Sequence, residues 1–568
     1  MALQWFLRFG MPVLFPDTLE FAVFAGLFGG LAVIVWWAFF SRAVWPERVG
    51  AIVLMALGLM LTSKFVHASV ATGMMGLMLP IFGIPVLCLA WVMWAAATRH
   101  LAGWSRWSTM VAAVVLGCGL FTLVRTNGIS PGAVGSDLKW RWSDTAEARM
   151  LARPVEPPAA PVAVPAVVKA PEPVAAVVPK VVVARNWAGF RGAGRNSVVS
   201  GVAIETDWTK SPPVVMWRQP VGPGWSSFAV NGDLLYTQEQ RGSEELVACY
   251  NVTTGKPVWR HTDAARFWES NAGAGPRATP ALHNGRVYTF GGTGILNALD
   301  ALNGGVVWRR DVSADSGVKV PEWGFASSPL IVDDLVVVAA AGKLAAYDIA
   351  TGEPRWSGPD GRYGYSSPHF LTIDGVPQIV LASKPGLTSF AVADGAQLWE
   401  HALPVGMRIV QPAVLADGDL LAGEGEGHNI HRVKVSHAAD GAWTTEERWS
   451  SNGLKPYFSD FVIHNGHAYG VDGSILSCID LKDGKRAWKG GRYGSGQIVL
   501  LPAQNLLLVL SDEGELALVS ATPDKFTEVA RMPAVQGKTW NHPVLVGDVL
   551  LVRNSEEMAA FRLTLAQR

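Results

Sequence analysis

One phrase, repeated along the chain, limits what this protein can fold into more than any other feature. Residues 345–356 read AAYDIATGEPRW: alternating apolar residues run into Asp, then Thr-Gly, then a short stretch ending on Trp356. ACYNVTTGKPVW, NALDALNGGVVW, SFAVADGAQLW and SCIDLKDGKRAW are close copies that end at Trp259, Trp308, Trp399 and Trp488. With Trp217 and Trp449 included, successive terminal tryptophans stand 42, 49, 48, 43, 50 and 39 residues apart. The segments between them, such as LVVVAA, QIVLAS and LLLVLS, are short, β-rich and bounded by Gly, Asp or Asn. A period of about 40–50 residues with four such strands marks the blades of a β-propeller.

A second tally checks the first. Each repeat opens on a polar residue followed by an apolar strand and a turn: SSFAVNGD from Ser226, ATPALHNG from Ala278, SSPLIVDD from Ser327 and SSPHFLTIDG from Ser366. VQPAVLADG from Val410, SDFVIHNG from Ser459, GQIVLLPAQ from Gly496 and NHPVLVGD from Asn541 complete eight starts. Seven tryptophan ends answer them, and a degenerate end stands near Val529. The last repeat lacks an outer strand, whereas PVVMWRQP (213–220) precedes the first start with no repeat of its own. That segment is expected to close the last blade and so remove two exposed sheet edges. The expected fold over 187–568 is therefore an all-β, eight-bladed propeller of four-stranded antiparallel blades. In the repeated phrase AAYD is the third strand, Thr-Gly the turn and PRW the outermost strand. Gly352 supplies the positive φ of the turn. Trp217, Trp259, Trp308, Trp356, Trp399, Trp449 and Trp488 read as blade-to-blade docking residues, each contributing about 2–3 kcal/mol of apolar burial.

The beginning of the chain is of another kind. FAVFAGLFGGLAVIVWWAFF (21–40), VGAIVLMALGLMLTS (49–63), ATGMMGLMLPIFGIPVLCLAWVMWAAA (71–97) and WSTMVAAVVLGCGLFTLV (107–124) are each long and apolar enough to cross a bilayer. Pro80 and Pro85 are expected to kink the third. Residues 1–125 thus read as a four-helix transmembrane anchor in contact with membrane lipid. Arg42, Arg48, Arg99 and Arg106 outnumber Arg8 and Lys64 on the opposite side. The bias puts both termini and the propeller on the periplasmic side of a bacterial inner membrane. Residues 126–186 read as a polar and Pro/Ala/Val-rich linker, PVEPPAAPVAVPAVVKAPEPVAAVVPK (154–180) being an extended spacer. Cys88 and Cys118 fall within spans, while Cys249 and Cys478 occupy the small-residue slot ten positions before a repeat Trp. No disulfide is expected. A formal net charge of zero gives no field directed at nucleic acid.

The phrase A-x-D-x-x-T-G-x-x-x-W resembles the tryptophan-docking repeat of the propellers named for pyrroloquinoline quinone (PQQ). NWAGFRGAGRN (186–196) is similar to the W-x-x-F-R-G-x-x-R opening of many bacterial members. The family includes PQQ-dependent alcohol and sugar dehydrogenases and also cofactor-free relatives, among them the scaffold of the outer-membrane protein assembly machinery. The membrane block ahead of the propeller resembles the layout of membrane-bound quinoprotein glucose dehydrogenase. For a dehydrogenase, the resemblance implies PQQ in the axial funnel with Ca²⁺ held by Glu, Asn and Asp. One residue from each blade start forms the axial ring: Ser227, Thr279, Ser328, Ser367, Gln411, Asp460, Gln497 and His542. Asp460 is the only carboxylate in that ring, as catalytic base or calcium ligand, with Asn541 as a further oxygen donor. Neither PQQ nor a metal is therefore expected, although a PQQ-dependent dehydrogenase stays open as an alternative.

Beside the ring stand Trp225, Arg277, Trp323, Tyr363, Arg408, Lys455, Tyr457 and Trp540, aromatic faces and cations suited to an anionic or carbohydrate-like ligand. The reading is a binding or assembly scaffold for a protein or small ligand, with a ligand sensor as a third possibility. FGGTG (290–294) and GEGEG (423–427) do not open helices after strands and are not phosphate loops. His428 and His431 read as exposed loop histidines, as do His464 and His467.

Overall fold

Strands of period-2 apolar pattern separated by two-residue turns can bury both faces only by stacking against like sheets, and here eight such sheets form. The computed structural model describes residues 1–15, 18–128, 137–153, 185–360, 363–404 and 406–566. The chain divides into two compact units, Met1–Thr145 with Trp268–Gly273, and Ala146–Phe267 with Ala274–Arg568.

Seven of the eight blades are four-stranded and antiparallel. The last is built from Val544–Val546, Val549–Arg553, Glu557–Arg562 and the early strand Val214–Pro220, which lies outermost with Ala560 opposite Trp217. The ring is thus sewn shut by the segment expected to do so. Further bonds hold the same seam. The buried Arg553 of the last blade donates to Gln238 O (3.0 Å) and Gly222 O (3.0 Å) of the first. The first blade carries a fifth strand, Asn186–Trp187, on its inner side, with Trp187 paired to Val230.

The repeated phrase has one geometry. In six blades a small residue or cysteine faces a tryptophan across the two outer strands: Cys249–Trp259, Ala298–Trp308, Ala346–Trp356, Ser389–Trp399, Cys478–Trp488 and Ala560–Trp217. A bulge follows immediately in each. The bulge turns the ring over the next blade, where the indole N–H donates to a backbone carbonyl: Trp217 to Val252, Trp259 to Ala301, Trp308 to Ile349 and Trp356 to Val392. Trp449 and Trp488 do the same toward Leu481 and Thr522. Trp399 differs and donates to Gln378 Oε1 of its own blade. The blade after it has an extended outer hairpin, Ile430–His437 and Trp443–Ser451, in place of the Thr-Gly turn. All four cysteines are free and buried.

In the first unit four apolar helices are long enough to span a bilayer: α1 (Leu19–Phe40), α2 (Trp45–Thr62), α3 (Met78–Ala97) and α4 (Gly103–Thr122). The third span differs from the expected 71–97. A one-turn helix, Ala68–Thr72, precedes a break at 73–77, where Met74, Met75 and Gly76 have positive φ. Pro80 then lies in the first turn of α3, where its missing N–H breaks no intrahelical bond, and Pro85 falls within the helix. Part of the expected linker is ordered. It holds the strand Leu138–Trp140 and α5 (Ala146–Leu151), whereas the proline-rich stretch 154–180 lies outside the described residues.

Candidate functional site

The eight ring residues line the axis and most of them are tied together. The amide of Ser227 donates to Thr279 Oγ1 (3.0 Å), that of Thr279 to Ser328 Oγ (3.0 Å) and that of Ser328 to Ser367 Oγ (2.9 Å). Farther round, the amide of Asp460 donates to Gln497 Oε1 (3.2 Å), Gln497 Nε2 to Phe458 O (3.1 Å), and Ser227 Oγ to His542 O (2.6 Å). Gln411 Nε2 reaches Pro368 O (3.1 Å), and Asn541 Nδ2 reaches Ser226 O (2.7 Å). A short polar residue at this position satisfies a backbone amide that the converging inner strands leave without a ladder partner. The ring is a belt of hydrogen bonds between neighbouring blades.

The chain itself fills the axis. Residues 186–198 enter from the hairpin end of the inner strands, as the pairing of Asn186 with Asn231 shows. Gly189 passes so close to the first strand of the second blade that a Cβ would stand 2.9 Å from Pro280 O. The segment then coils tightly, with Arg191, Arg195 and Ser197 in the left-handed region. Such backbone persists only where its surroundings over-determine it, and here two guanidinium groups do so. Arg191 Nη1 lies 3.1 Å from Asp460 Oδ1, and its Nη2 donates to Phe461 O (2.6 Å). Arg195 donates to Pro329 O (3.0 Å) and Ser328 O (3.3 Å) across the axis. The second oxygen of Asp460 lies 2.7 Å from His542 Nε2, and Phe190 packs edge-on against His542 at 5.1 Å.

Burial alone would raise the Asp460 carboxyl, but the guanidinium of Arg191, then His542 and Arg195, outweigh it and hold the group below its ordinary value. His369 nearby, bonded to Pro412 O, is pushed down to about 4 by burial with Arg195 and Arg191 adding to it. Both Asp460 oxygens therefore have protein partners. No cluster of three His, Cys, Asp or Glu able to hold a metal occurs among the described residues. The donor set does not fit Ca²⁺, which needs several converging oxygens.

The residues expected beside the ring separate into two aromatic platforms and two structural groups. Trp225 and Trp540 approach at 4.8 Å with Lys538 Nζ over both rings, 5.3 and 4.3 Å from their centroids. Phe458 joins Trp540 at 4.8 Å and Tyr457 joins Phe458 at 5.4 Å. On the other platform Trp323 stacks on Tyr365 at 5.1 Å, Tyr363 and Tyr365 share a 2.8 Å hydroxyl contact, and Arg277 Nε donates to Trp323 O (3.2 Å). Arg408 is not exposed to any ligand. It is 1% exposed and donates to Ser383 O (2.8 Å), Lys384 O (2.9 Å) and Pro404 O (2.6 Å). Lys455 lies 3.4 Å from Asp472, which Arg486 and Lys489 also contact.

Arg191, Arg195, Phe190, Tyr365, Phe458 and Lys538 were not among the expected site residues. The two arginines had a visible signal, being paired cations in an otherwise glycine-rich stretch ahead of the first blade. His431 corrects the loop reading. It lies 4% exposed on the strand Ile430–His437, with Nδ1 2.8 Å from Glu447 and Nε2 3.4 Å from Glu424, because the extended hairpin carries it under cover. His428 is exposed in a loop.

Comparison with known proteins gives this geometry a family context. A PQQ-type repeat family model, described as outer membrane protein assembly factor BamB, matches residues 243–490. The matched stretch covers less than half of the chain. Among curated proteins, this chain aligns with BamB of Shewanella oneidensis at 22% identity, over 60% of this chain and 86% of that one. BamB of Burkholderia pseudomallei aligns at 26% identity, over 61% of this chain and 88% of that one. Among solved structures, quinohemoprotein alcohol dehydrogenase from Comamonas testosteroni aligns at 13% identity with a TM-score of 0.47, over 68% of this chain and 81% of that one.

Proposed function

We propose that this chain is a membrane-anchored assembly scaffold. The four apolar helices hold it in a bacterial inner membrane, and the PQQ-like propeller is presented on the periplasmic side as a rigid, non-enzymatic platform for protein partners. One observation carries the reading. Residues 186–198 run in from the hairpin end of the inner strands, and Asp460, the carboxylate of the axial ring, is committed to Arg191 and His542. The likeness to BamB, a protein named for outer membrane protein assembly, supports the same reading.

Binding falls to the blade surfaces. The outer strands leave apolar side chains in solvent, Val214 and Val215 on the closing strand and Val306 and Val307 on the second blade. Each belongs to a strand with a free edge that an extended segment of a partner can extend. The two aromatic platforms offer a second surface at the opposite end of the inner strands from the plug.

Site-specific photocrosslinking in intact envelopes tests the reading, with probes at Val214, Val307 and Tyr363. Discrete protein adducts at the outer-edge positions are expected. Absence of adducts at every position, together with stoichiometric PQQ uptake and dye reduction when PQQ and Ca²⁺ are supplied, overturns the scaffold in favour of a dehydrogenase.

A further inference from the structure

A cavity of about 970 Å³ opens among the four long helices at the end where α1 leads to α2 through 41–44 and α3 leads to α4 through 98–102. Its wall combines two kinds of group. Trp36, Phe40, Val92 and Ala96 give an apolar side, while Arg42, Arg99, Arg106 and Glu47 give a charged one. Glu47 is already 3.1 Å from Arg106. Arg42 and Arg99 stand exposed at the rim with no hydrogen bond or ion pair among the described residues. Arg48, by contrast, is spent on the connection itself and donates to Ala43 O (2.8 Å), Ala38 O (2.9 Å) and Ser41 O.

Deeper in, three donors have no acceptor. Trp37, Trp91 and Ser41 line this cavity at 6%, 4% and 7% exposure, and their buried indole N–H groups and hydroxyl make no hydrogen bond among the described residues. A buried polar group left unmade is costly, and three of them around one cavity call for a ligand rich in acceptor oxygens. The excess of guanidinium over carboxylate calls for that ligand to be an anion. The apolar wall calls for hydrocarbon next to it.

We propose that this cavity binds the phosphate headgroup of an anionic phospholipid, its phosphate oxygens toward Arg42 and Arg99, its ester oxygens toward the indoles and its first methylenes against the apolar wall. The inference rests on the membrane-anchored reading above. It goes further in assigning a particular lipid class to a particular site, on the side where the positive-inside bias places anionic lipid.

Native mass spectrometry of the full chain, delipidated in detergent, tests it with phosphatidylglycerol, phosphatidylcholine and inorganic phosphate. The expected result is one retained phosphatidylglycerol, about 10- to 30-fold preferred over phosphatidylcholine on the scale of two interfacial arginines. Arg42→Gln with Arg99→Gln removes the preference. Trp91→Phe, which leaves the charge unchanged, weakens retention of phosphatidylglycerol. Equal retention of both lipids, unchanged preference in the double variant, or binding of inorganic phosphate without lipid each overturns the proposal. Alkaline carbonate extraction of membranes separates the two failures. A chain released to the supernatant sinks the anchor reading itself, whereas an integral chain with no lipid preference sinks only this site.

Discussion

Arg191 and Asp460 meet at the propeller axis, Nη1 to Oδ1 at 3.1 Å, although 269 residues separate them in the chain. The contact joins the segment ahead of the first blade to the inner strand of the sixth and leaves both side chains almost wholly buried. An ion pair removed this far from water is costly to break on one side only.

Asp460→Asn therefore leaves Arg191 and Arg195 without their one nearby carboxylate and is expected to cost about 3–5 kcal/mol. Urea unfolding followed by tryptophan fluorescence reads the loss. Replacing Arg191 and Asp460 together with apolar residues is expected to cost less than the sum of the single changes. The sign with pH follows from the lowered folded value. The pair's contribution is present above the ordinary 3.8 of an aspartate and is lost as pH falls below it.

Glu245 and Asp512 have the opposite sign. Burial raises Glu245 to about 7 and Asp512 to about 6, against hydrogen bonds from Gly292 and Ser495 that lower them. The folded state binds protons that the unfolded state has released. These two groups thus favour folding most below their ordinary values, 4.5 and 3.8, and the advantage disappears as pH rises through 6 and 7. Glu245→Gln is expected to remove about 3 kcal/mol of the difference between pH 4.5 and pH 8, read as urea midpoints at the two values.

Gly352 answers to two demands, and a matched pair of variants separates them. Its φ is 75°, and a Cβ there would stand 2.6 Å from the ring of Trp308. Gly375 has a φ of 80° with nothing within 4 Å of its Cβ position. Gly375→Ala is expected to cost about 1 kcal/mol for the left-handed backbone alone. Gly352→Ala adds the displaced indole, for a total of about 2–4 kcal/mol. Equal losses in thermal unfolding would remove the ring from the account.

Arg408 tests whether a cation predicted beside the funnel serves ligand or fold. Its guanidinium donates to the carbonyls of Ser383, Lys384, Gly406 and Pro404. Arg408→Lys cannot reproduce that planar fork and is expected to cost about 2–3 kcal/mol by leaving buried carbonyls unpaired. Arg277→Gln, at a half-exposed site, is expected to change stability by under about 1 kcal/mol.

The docking tryptophans show what can be read early and what cannot. Their spacing identifies the outer strands, and the small residue ten positions earlier proves to be the cross-strand partner that lets the ring turn over. Trp399 has the same sequence setting but a different acceptor, because the partner blade, which no local pattern describes, has lost the turn. His431 was misread as exposed for the same reason.

The sequence by itself determined the number of blades, the strand that closes them and the apolar helices, because each is written as a local period repeated many times. Only the tertiary structure decided what Asp460 faces, where Arg191 and Arg195 go, and that Arg408 is buried. Those contacts exist only once eight sheets have closed into a ring, which brings distant stretches of chain to one axis and leaves no mark in the spacing of either.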